Sequence, residues 1–414
     1  MKLYSHLIIL LLSLCATTAV SAQEAGNDTL ATVLPDSLRV DTVAADTLPY
    51  PQRAVVRIDS LLQDRMFETS QVGLMVYDLD ADSVLYAHNE RQLMRPASTM
   101  KLLTAITALD RLGRNYRYTT SVYYTGECDS TTLKGNIYVK GGMDPSLESY
   151  DLDCIVEEIV KLKVDTIEGD IVGDRSFKDT DTMGEGWCWD DNNPTLSPLV
   201  YKKKDNLVAA LYQKIQAQGI VVKGSCSEGT VPSDARQLTV RYSPMEPILQ
   251  KMMKESDNLY AESMLYQVGA ASGGRSTVKA AQQEERRIME RAGLDASAYR
   301  LADGSGLSLY NYLSAECEVM LLRYAYKNKS LFGTLCQSLP CAGMDGTLRR
   351  RMKNTAAYGN VMAKTGTLTG IYTLAGYCIS PEKHMLAFCI LNQGIMQSGS
   401  ARSFQDKVCD ALCK

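Results

Sequence analysis

The 414-residue chain changes its residue pattern along its length, and these changes constrain its fold. Residues 71–86 alternate like two strands joined at an acidic turn, and 98–109 have the spacing of a largely buried helix. Short β-like runs between Gly and Asp turns fill about 118–242, helices follow over 243–339, and a strand pair and a helix end the chain. This order predicts an α/β (α+β) domain that is split by a β-rich insertion.

The composition argues against several classes of function. There are 48 acidic and 44 basic residues, a formal net charge of -4, so the chain as a whole gives no indication of nucleic-acid binding. Its histidines, His6, His88 and His384, are too few for a multi-histidine metal site, and no Cys-x-x-Cys pair indicates zinc. We therefore expect no metal or other cofactor, and we expect any nucleophilic chemistry to use a base other than histidine.

Residues 1–22 have the pattern of a secretory signal peptide. Lys2 precedes an apolar run from Leu7 to Leu14, and small residues before Gln23 form a cleavage site. The apolar run is shorter than the ~20 residues that span a bilayer, so we expect cleavage, a periplasmic location and no stable membrane span. Residues 23–52 are rich in Asp, Thr, Ala and Ser and are predicted to form a flexible linker.

Cysteines of an exported protein can form disulfides, and some of them lie near one another here. The alternative is that they are small, buried hydrophobic residues. Three pairs are candidates: Cys336 with Cys341, Cys378 with Cys389, which would face each other across a hairpin, and Cys409 with Cys413.

Ser98 and Lys101 lie three residues apart at the start of the predicted helix and therefore on one face of it. A serine hydroxyl is a weak nucleophile until a base removes its proton. A lysine becomes such a base when burial or positive neighbours lower its pKa, and the apolar residues around Lys101 predict burial. The same spacing recurs at Ser276 and Lys279, in a polar, Gly-flanked segment that we interpret as a solvated face.

Two further short motifs have both structural and functional interpretations. Ser256-Asp257-Asn258 precedes a helical pattern, and by itself such a tripeptide is typical of a helix N-cap. Lys364-Thr365-Gly366-Thr367 lies in an alternating apolar run, where the glycine allows a ligand to approach the strand edge. An exposed strand charge beside a turn is the alternative for the second motif.

In this order, the S-x-x-K, S-x-N and K-[ST]-G motifs resemble the active-site set of penicillin-binding proteins and serine β-lactamases. The residues around them, and those at 303–308 and 339–348, are similar to the D-alanyl-D-alanine carboxypeptidase/endopeptidase family S13, the low-molecular-mass class C penicillin-binding proteins. The resemblance runs from about residue 53 to the C-terminus.

The resemblance implies a transpeptidase-like domain, an antiparallel sheet flanked by helices, as in penicillin-binding proteins and β-lactamases. Its two parts are expected at 53–120 and 243–414, and a β-rich inserted domain at 121–242. The implied activity is that of a serine-type D-Ala-D-Ala carboxypeptidase, a D,D-endopeptidase, or both. The enzyme would act on peptidoglycan stem peptides through an acyl-serine intermediate, and β-lactams would inhibit it.

The resemblance also implies a role for each site residue. Ser98 is expected to be the nucleophile, Lys101 its base, and Ser256, near both lysines, a proton relay. The backbone N–H groups of Ser98 and Thr367 would stabilise the oxyanion. The substrate-binding residues implied in this way are Asn258, Lys364, Thr365, Gly366, Thr367 and, for the free amino end of a diaminopimelate side chain, Asp191.

The resemblance is incomplete at one position and leaves two other functions open. Leu309 stands where some relatives carry an arginine for the side-chain carboxylate, and Asp303 and Ser305 are interpreted as structural residues of a Gly-rich turn. The first alternative function is a serine β-lactamase, which requires fast deacylation. The second is a catalytically silent peptidoglycan-binding protein of the same fold.

Overall fold

The computed structural model describes residues 47–190 and 193–414. The predicted signal peptide, most of the predicted linker and Asp191 therefore lie outside the described residues. The division into domains at 120 and 242 stays a prediction.

The helices of the described chain account for most of the segment between residues 245 and 338. No helix within the described ranges is both long and apolar enough to cross a bilayer. In chain order the helices are α1 (Gln52–Leu61), α2 (Lys101–Leu112), α3 (Ser149–Val160), α4 (Leu207–Ala217), α5 (Met245–Lys254), α6 (Asn258–Ala270), α7 (Val278–Arg291), α8 (Ala315–Lys327), α9 (Lys329–Ser338) and α10 (Ser398–Cys413).

The strands fall into an N-terminal pair, a long middle group and a C-terminal group, as the sequence predicts. In chain order they are β1 (Gln71–Asp78), β2 (Ser83–His88), β3 (Arg117–Tyr124), β4 (Glu127–Asp129), β5 (Thr132–Lys134), β6 (Ile137–Lys140), β7 (Thr166–Ile167), β8 (Ile171–Asp174), β9 (Val200–Tyr201), β10 (Lys204–Asp205), β11 (Val221–Val222), β12 (Cys226–Glu228), β13 (Arg236–Pro244), β14 (Met362–Leu368), β15 (Ile371–Ile379) and β16 (Met385–Gln393).

The two ends of the described chain build one antiparallel sheet, in the order β14-β15-β16-β1-β2. β1 pairs with β16 from Gln71 opposite Gln393 to Asp78 opposite Leu386. Successive side chains of a strand point to opposite faces, so β1 contributes to two hydrophobic cores. One core contains α2 and the helices of the middle segment, and the other contains α1 and α10. This is the antiparallel sheet flanked by helices that the sequence predicts.

The β-rich segment has its own core and sheets. A five-stranded sheet has the order β12-β8-β6-β3-β13, and a four-stranded sheet has the order β11-β7-β5-β4. Helices α3 and α4 pack on them through apolar residues that form a separate cluster. β3 and β13 pair antiparallel, with Arg117 opposite Pro244, so the chain enters and leaves this segment side by side.

One expected disulfide geometry is wrong. Cys378 lies opposite Leu386, and Cys389 lies opposite Ala375, so the two cysteines do not face each other across the β15–β16 hairpin. They also belong to different cores, because they point to opposite faces of the sheet. The described cysteines, those of the other two candidate pairs included, are free thiols, and Cys378, Cys389 and Cys409 are buried.

Candidate active site

Ser98 lies in a short 3-10 turn, Ala97–Met100, directly before α2. The preceding residue, Ala97, has a left-handed backbone with φ 48°, which is a strained conformation for a residue with a side chain. Gly306 packs against this turn so closely that a Cβ there would overlap the carbonyl of Ala97. The turn is therefore held in an unusual conformation that leaves the side chain of Ser98 partly exposed.

Two buried hydrogen bonds fix the turn from either side of Ser98. The hydroxyl of Thr99 donates to the buried carboxylate of Glu318 on α8 at 2.6 Å. The hydroxyl of Thr373 on β15 donates to the carbonyl of Pro96 at 2.7 Å. Since the bonds come from a helix and from the central sheet, both layers of the fold position the serine.

Lys101 is fully buried, and its side-chain nitrogen has three oxygen neighbours. It lies 2.9 Å from the hydroxyl oxygen of Ser98, 2.8 Å from Oδ1 of Asn258 and 2.7 Å from the carbonyl oxygen of Ser305. Burial lowers the pKa of Lys101 to about 8, although the charges of Asp303, Glu262 and Asp257 oppose the shift. A fraction of this amine is therefore neutral near pH 7, in contact with the serine hydroxyl.

Glu262 holds the backbone segment that contacts Lys101. Its carboxylate accepts hydrogen bonds from the backbone N–H groups of Gly304 at 3.3 Å and Ser305 at 2.8 Å. These bonds hold Ser305, the residue whose carbonyl accepts from Lys101. Burial and the neighbouring charge of Asp303 raise the pKa of Glu262. Glu262 follows the Ser256-Asp257-Asn258 motif on α6, in a stretch that carries the family resemblance, but the sequence predicts no role for it.

The second lysine, Lys364 on β14, is also fully buried. Its nitrogen donates to the hydroxyl of Ser256 at 2.8 Å and to the carbonyl of Thr365 at 2.7 Å. Burial, reinforced by the charge of Lys101, holds the pKa of Lys364 well below its usual range. Ser256 has a left-handed backbone, φ 61°, one residue before the Asp257 side chain caps α6. Ser256 thus hydrogen-bonds Lys364, whereas Asn258, two residues further on, hydrogen-bonds Lys101.

Gly366 lets β14 approach the serine turn. A Cβ at this position would overlap the hydroxyl of Thr373 and would lie 2.9 Å from the backbone nitrogen of Ser98. A glycine is required because no side chain fits between the strand and the turn.

The other residues that the sequence singled out have different positions. Asp303 is a structural residue of its turn, where its carboxylate accepts from Gly306, Ser308, Asn311 and the indole of Trp187. Ser276 is buried and donates to the carbonyl of Tyr266, so its interpretation as part of a solvated face is wrong, while Lys279 is exposed. The carbonyl of Leu309 accepts a hydrogen bond from Arg95 at 3.0 Å.

An open cleft of about 550 Å³, which no residue pattern indicated, extends from the K-T-G strand. Thr365 forms its rim and contacts the hydroxyl of Thr347 at 2.8 Å. Basic residues from 349–351 and Arg402 line the same cleft. These residues are distant in the sequence, so only the folded chain brings them beside the motif.

Sequence comparisons place the chain among known proteins. The profile of the D-Ala-D-Ala carboxypeptidase 3 (S13) family matches residues 54–201 and 193–412. A D-alanyl-D-alanine carboxypeptidase from Actinomadura sp. (strain R39) is 27% identical over 434 residues, which cover 81% of this chain and 80% of that protein. D-alanyl-D-alanine carboxypeptidase DacB from Haemophilus influenzae is 26% identical over 424 residues, 82% of this chain and 88% of its own.

A structural comparison agrees on the fold. The crystal structure of penicillin binding protein 4 (dacB) from Haemophilus influenzae superposes with a TM-score of 0.78 at 24% identity, covering 86% of this chain and 98% of that one. Because the family profile matches nearly the whole described chain, this protein belongs to the D-Ala-D-Ala carboxypeptidase 3 (S13) family.

Proposed function

We propose that this protein is a serine-type D-Ala-D-Ala carboxypeptidase, with D,D-endopeptidase activity on cross-linked stem peptides of peptidoglycan. The observation that carries the proposal is the 2.9 Å contact between a buried lysine of lowered pKa, Lys101, and the hydroxyl of Ser98. A nucleophile within hydrogen-bond reach of its base, with the base oriented by further groups, is the general arrangement for covalent catalysis. Asn258 and the Ser305 carbonyl provide that orientation here.

In the acylation step, neutral Lys101 takes the proton of Ser98 while the serine oxygen attacks the carbonyl carbon of the penultimate D-alanine. The negative charge on the carbonyl oxygen is stabilised by the backbone N–H groups of Ser98 and Thr367. Loss of one donor of this kind costs about 10²–10³ in rate. Asn258 would bind the substrate amide through its Nδ2, because its Oδ1 already accepts from Lys101.

Lys364, Thr365 and Ser256 are proposed to bind and protonate the leaving group. Lys364 and Thr365 bind the carboxylate next to the scissile nitrogen, and this negative charge favours the protonated form of Lys364. The C–N bond breaks as Ser256 gives its proton to the leaving amine and regains one from Lys364, with which it shares a 2.8 Å hydrogen bond. Water then attacks the ester carbonyl and gives its proton to Lys364 through Ser256. The ester C–O bond breaks as the Ser98 oxygen regains its proton from Lys101, which restores both lysines. Gly366 supports this site by allowing β14 to approach Ser98.

β-Lactams are proposed to acylate Ser98 because their strained amide reaches the same groups. A β-lactamase also needs a base that activates the deacylating water. Among the described residues no carboxylate hydrogen-bonds Ser98, and the nearby Glu262 is engaged with the backbone of Gly304 and Ser305. This favours a slowly hydrolysed adduct over rapid turnover of the drug.

Export is part of the proposal. The signal-peptide pattern of residues 1–22 and the proposed substrate both favour a periplasmic enzyme whose signal peptide is removed. Asp191 is retained as a proposed contact for the amino end of a diaminopimelate side chain, supported by the sequence resemblance alone.

The proposal is tested by incubating purified protein with uncross-linked pentapeptide and with dimeric muropeptides and by analysing the products by mass. Release of D-alanine from the first and conversion of the second to monomers is the expected result. Binding without either product would support a silent wall-binding protein. Hydrolysis of penicillin in many turnovers, without cleavage of peptide, would support a β-lactamase.

A further inference from the structure

The cleft beside the K-T-G strand begins where the leaving group's carboxylate is proposed to bind. Thr365, Gly366 and Thr367 of the strand line it together with Thr347, Arg349 and Arg350. A hydrogen bond joins the hydroxyls of Thr365 and Thr347. A leaving group that extends beyond its first residue therefore passes into this cleft.

The cleft is strongly cationic although the whole chain has a net charge of -4. Its lining contains Lys254, Arg349, Arg350, Arg351 and Arg402, against a single acidic residue, Glu255. The surface next to the proposed leaving-group site thus carries a local excess of positive charge.

Two of these cations are already neutralised by structural ion pairs. Lys254 contacts Asp345 at 2.6 Å, and Arg351 contacts Asp406 at 2.6 Å. Arg349, Arg350 and Arg402 form no ion pair within residues 47–190 and 193–414, and all three are exposed. Arg402 lies over the ring of Tyr372, with its guanidinium carbon 6.0 Å from the ring centroid, which holds it at the cleft.

Three free guanidinium groups beside a site for one carboxylate fit a ligand with additional carboxylates. We infer that this cleft is a subsite for leaving peptides that carry carboxylates beyond the one adjacent to the scissile nitrogen. A released D-alanine has only that first carboxylate, whereas the peptide released from a cross-link carries more. The inference rests on the proposed function and indicates that cross-linked peptides are the preferred substrates.

The test uses three synthetic substrates that share one acyl part ending in D-alanine and differ in the leaving residue. The leaving residue is D-alanine, D-glutamate or D-glutamine, so the last pair differs in charge at almost constant size. For the wild-type protein we expect kcat/KM to be about fivefold to tenfold higher for D-glutamate than for D-glutamine at low ionic strength. The preference decreases when salt is added, because the arginines are exposed.

The variant R349Q/R350Q/R402Q should lose the preference for D-glutamate. If the triple variant is poorly folded, the single variants R349Q, R350Q and R402Q should each reduce the preference. Arg114→Gln, an exposed arginine outside the cleft that forms no ion pair in the described part of the chain, is the control and should keep the preference. Equal rates for D-glutamate and D-glutamine in the wild type, with D-alanine still released, would overturn the subsite alone. Cleavage of none of the three substrates would overturn the proposed function.

Discussion

The carboxylate of Glu262 accepts a 2.8 Å hydrogen bond from the backbone N–H of Ser305. The carbonyl of the same Ser305 accepts from Lys101 at 2.7 Å. A buried acid that never contacts Ser98 therefore determines where the proposed base lies. Glu262 is a positioning residue in this account, and Ser98 and Lys101 are the catalytic pair.

Replacement of Glu262 separates positioning from general stability. Glu262→Ala leaves two buried backbone N–H groups without an acceptor, at a cost of about 1–3 kcal/mol for each, and frees Ser305 to move. We expect the rate of acylation by labelled penicillin to fall about tenfold or more, whereas Glu262→Gln, which keeps an acceptor oxygen, should restore most of it. Glu285→Gln is the control, because Glu285 is equally buried and does not bond this turn. Equal effects of all three changes would contradict the positioning role.

The rate of acylation should depend on pH through Lys101. Its pKa is lowered to about 8 by burial, so below that value only a fraction of the amine is neutral. We expect the acylation rate to rise by up to tenfold per pH unit from pH 6 and to level off above about pH 8. Stopped-flow acylation across this range measures it, and Lys101→Arg, whose guanidinium keeps its proton, should give a low and flat profile. A flat profile in the wild type would argue against lysine as the base.

Stability should depend on pH in the opposite direction because of buried acids. Burial raises the pKa of Glu285 from 4.5 to about 8, so between these values the folded protein holds a proton that the unfolded chain releases. The free energy of unfolding contributed by Glu285 is therefore largest below pH 4.5 and is lost as the pH rises through about 8. The slope is at most about 1.4 kcal/mol per pH unit for one such group.

Urea unfolding at pH 5 to 9 measures this slope. We expect Glu285→Gln to make it less steep, because glutamine keeps the size of the side chain and does not titrate. Glu290→Gln on the same helix replaces an exposed carboxylate and should leave the slope unchanged. An identical slope in Glu285→Gln and in the wild type would show that Glu285 is not protonated in the folded state.

Two glycines should respond in opposite directions to a methyl group. Gly366→Ala places a Cβ against Thr373 and the nitrogen of Ser98, so we expect loss of acylation and a lower melting temperature. Gly333 lies within α9 with no neighbouring atom within 4 Å of a Cβ, and Gly333→Ala should stabilise the protein by about 0.5–1 kcal/mol with normal acylation. Thermal unfolding and penicillin labelling of both variants provide the comparison.

The sequence predicted the elements better than their long-range pairing. The alternation at 71–86 correctly predicted the β1–β2 hairpin. The three motifs do meet: Lys101 hydrogen-bonds Ser98 and Asn258, and Lys364 hydrogen-bonds Ser256. The register of β15 and β16 depends on the geometry of their turn, which residue patterns do not report. The prediction that Cys378 and Cys389 face each other is wrong for this reason. The roles of Glu262 and of Arg402 depend on contacts between segments far apart in the chain, and neither residue belongs to a short motif.

The second S-x-x-K sequence shows why a motif needs its structural context. Ser276 has the same spacing to Lys279 as Ser98 has to Lys101, but Ser276 donates to the backbone of Tyr266 and Lys279 is exposed. The spacing alone gives two candidates, and burial of the lysine distinguishes them.

The most direct test of the account is the rate at which Lys101→Ala is acylated by labelled penicillin, with the adduct located by mass spectrometry of peptides. We predict an adduct on Ser98 in the wild type and in Lys279→Ala, none in Ser98→Ala, and a rate at least about 10³-fold lower in a folded Lys101→Ala variant. Acylation of Lys101→Ala at the wild-type rate would show that Lys101 is not the base, and an adduct on a residue other than Ser98 would show that Ser98 is not the nucleophile.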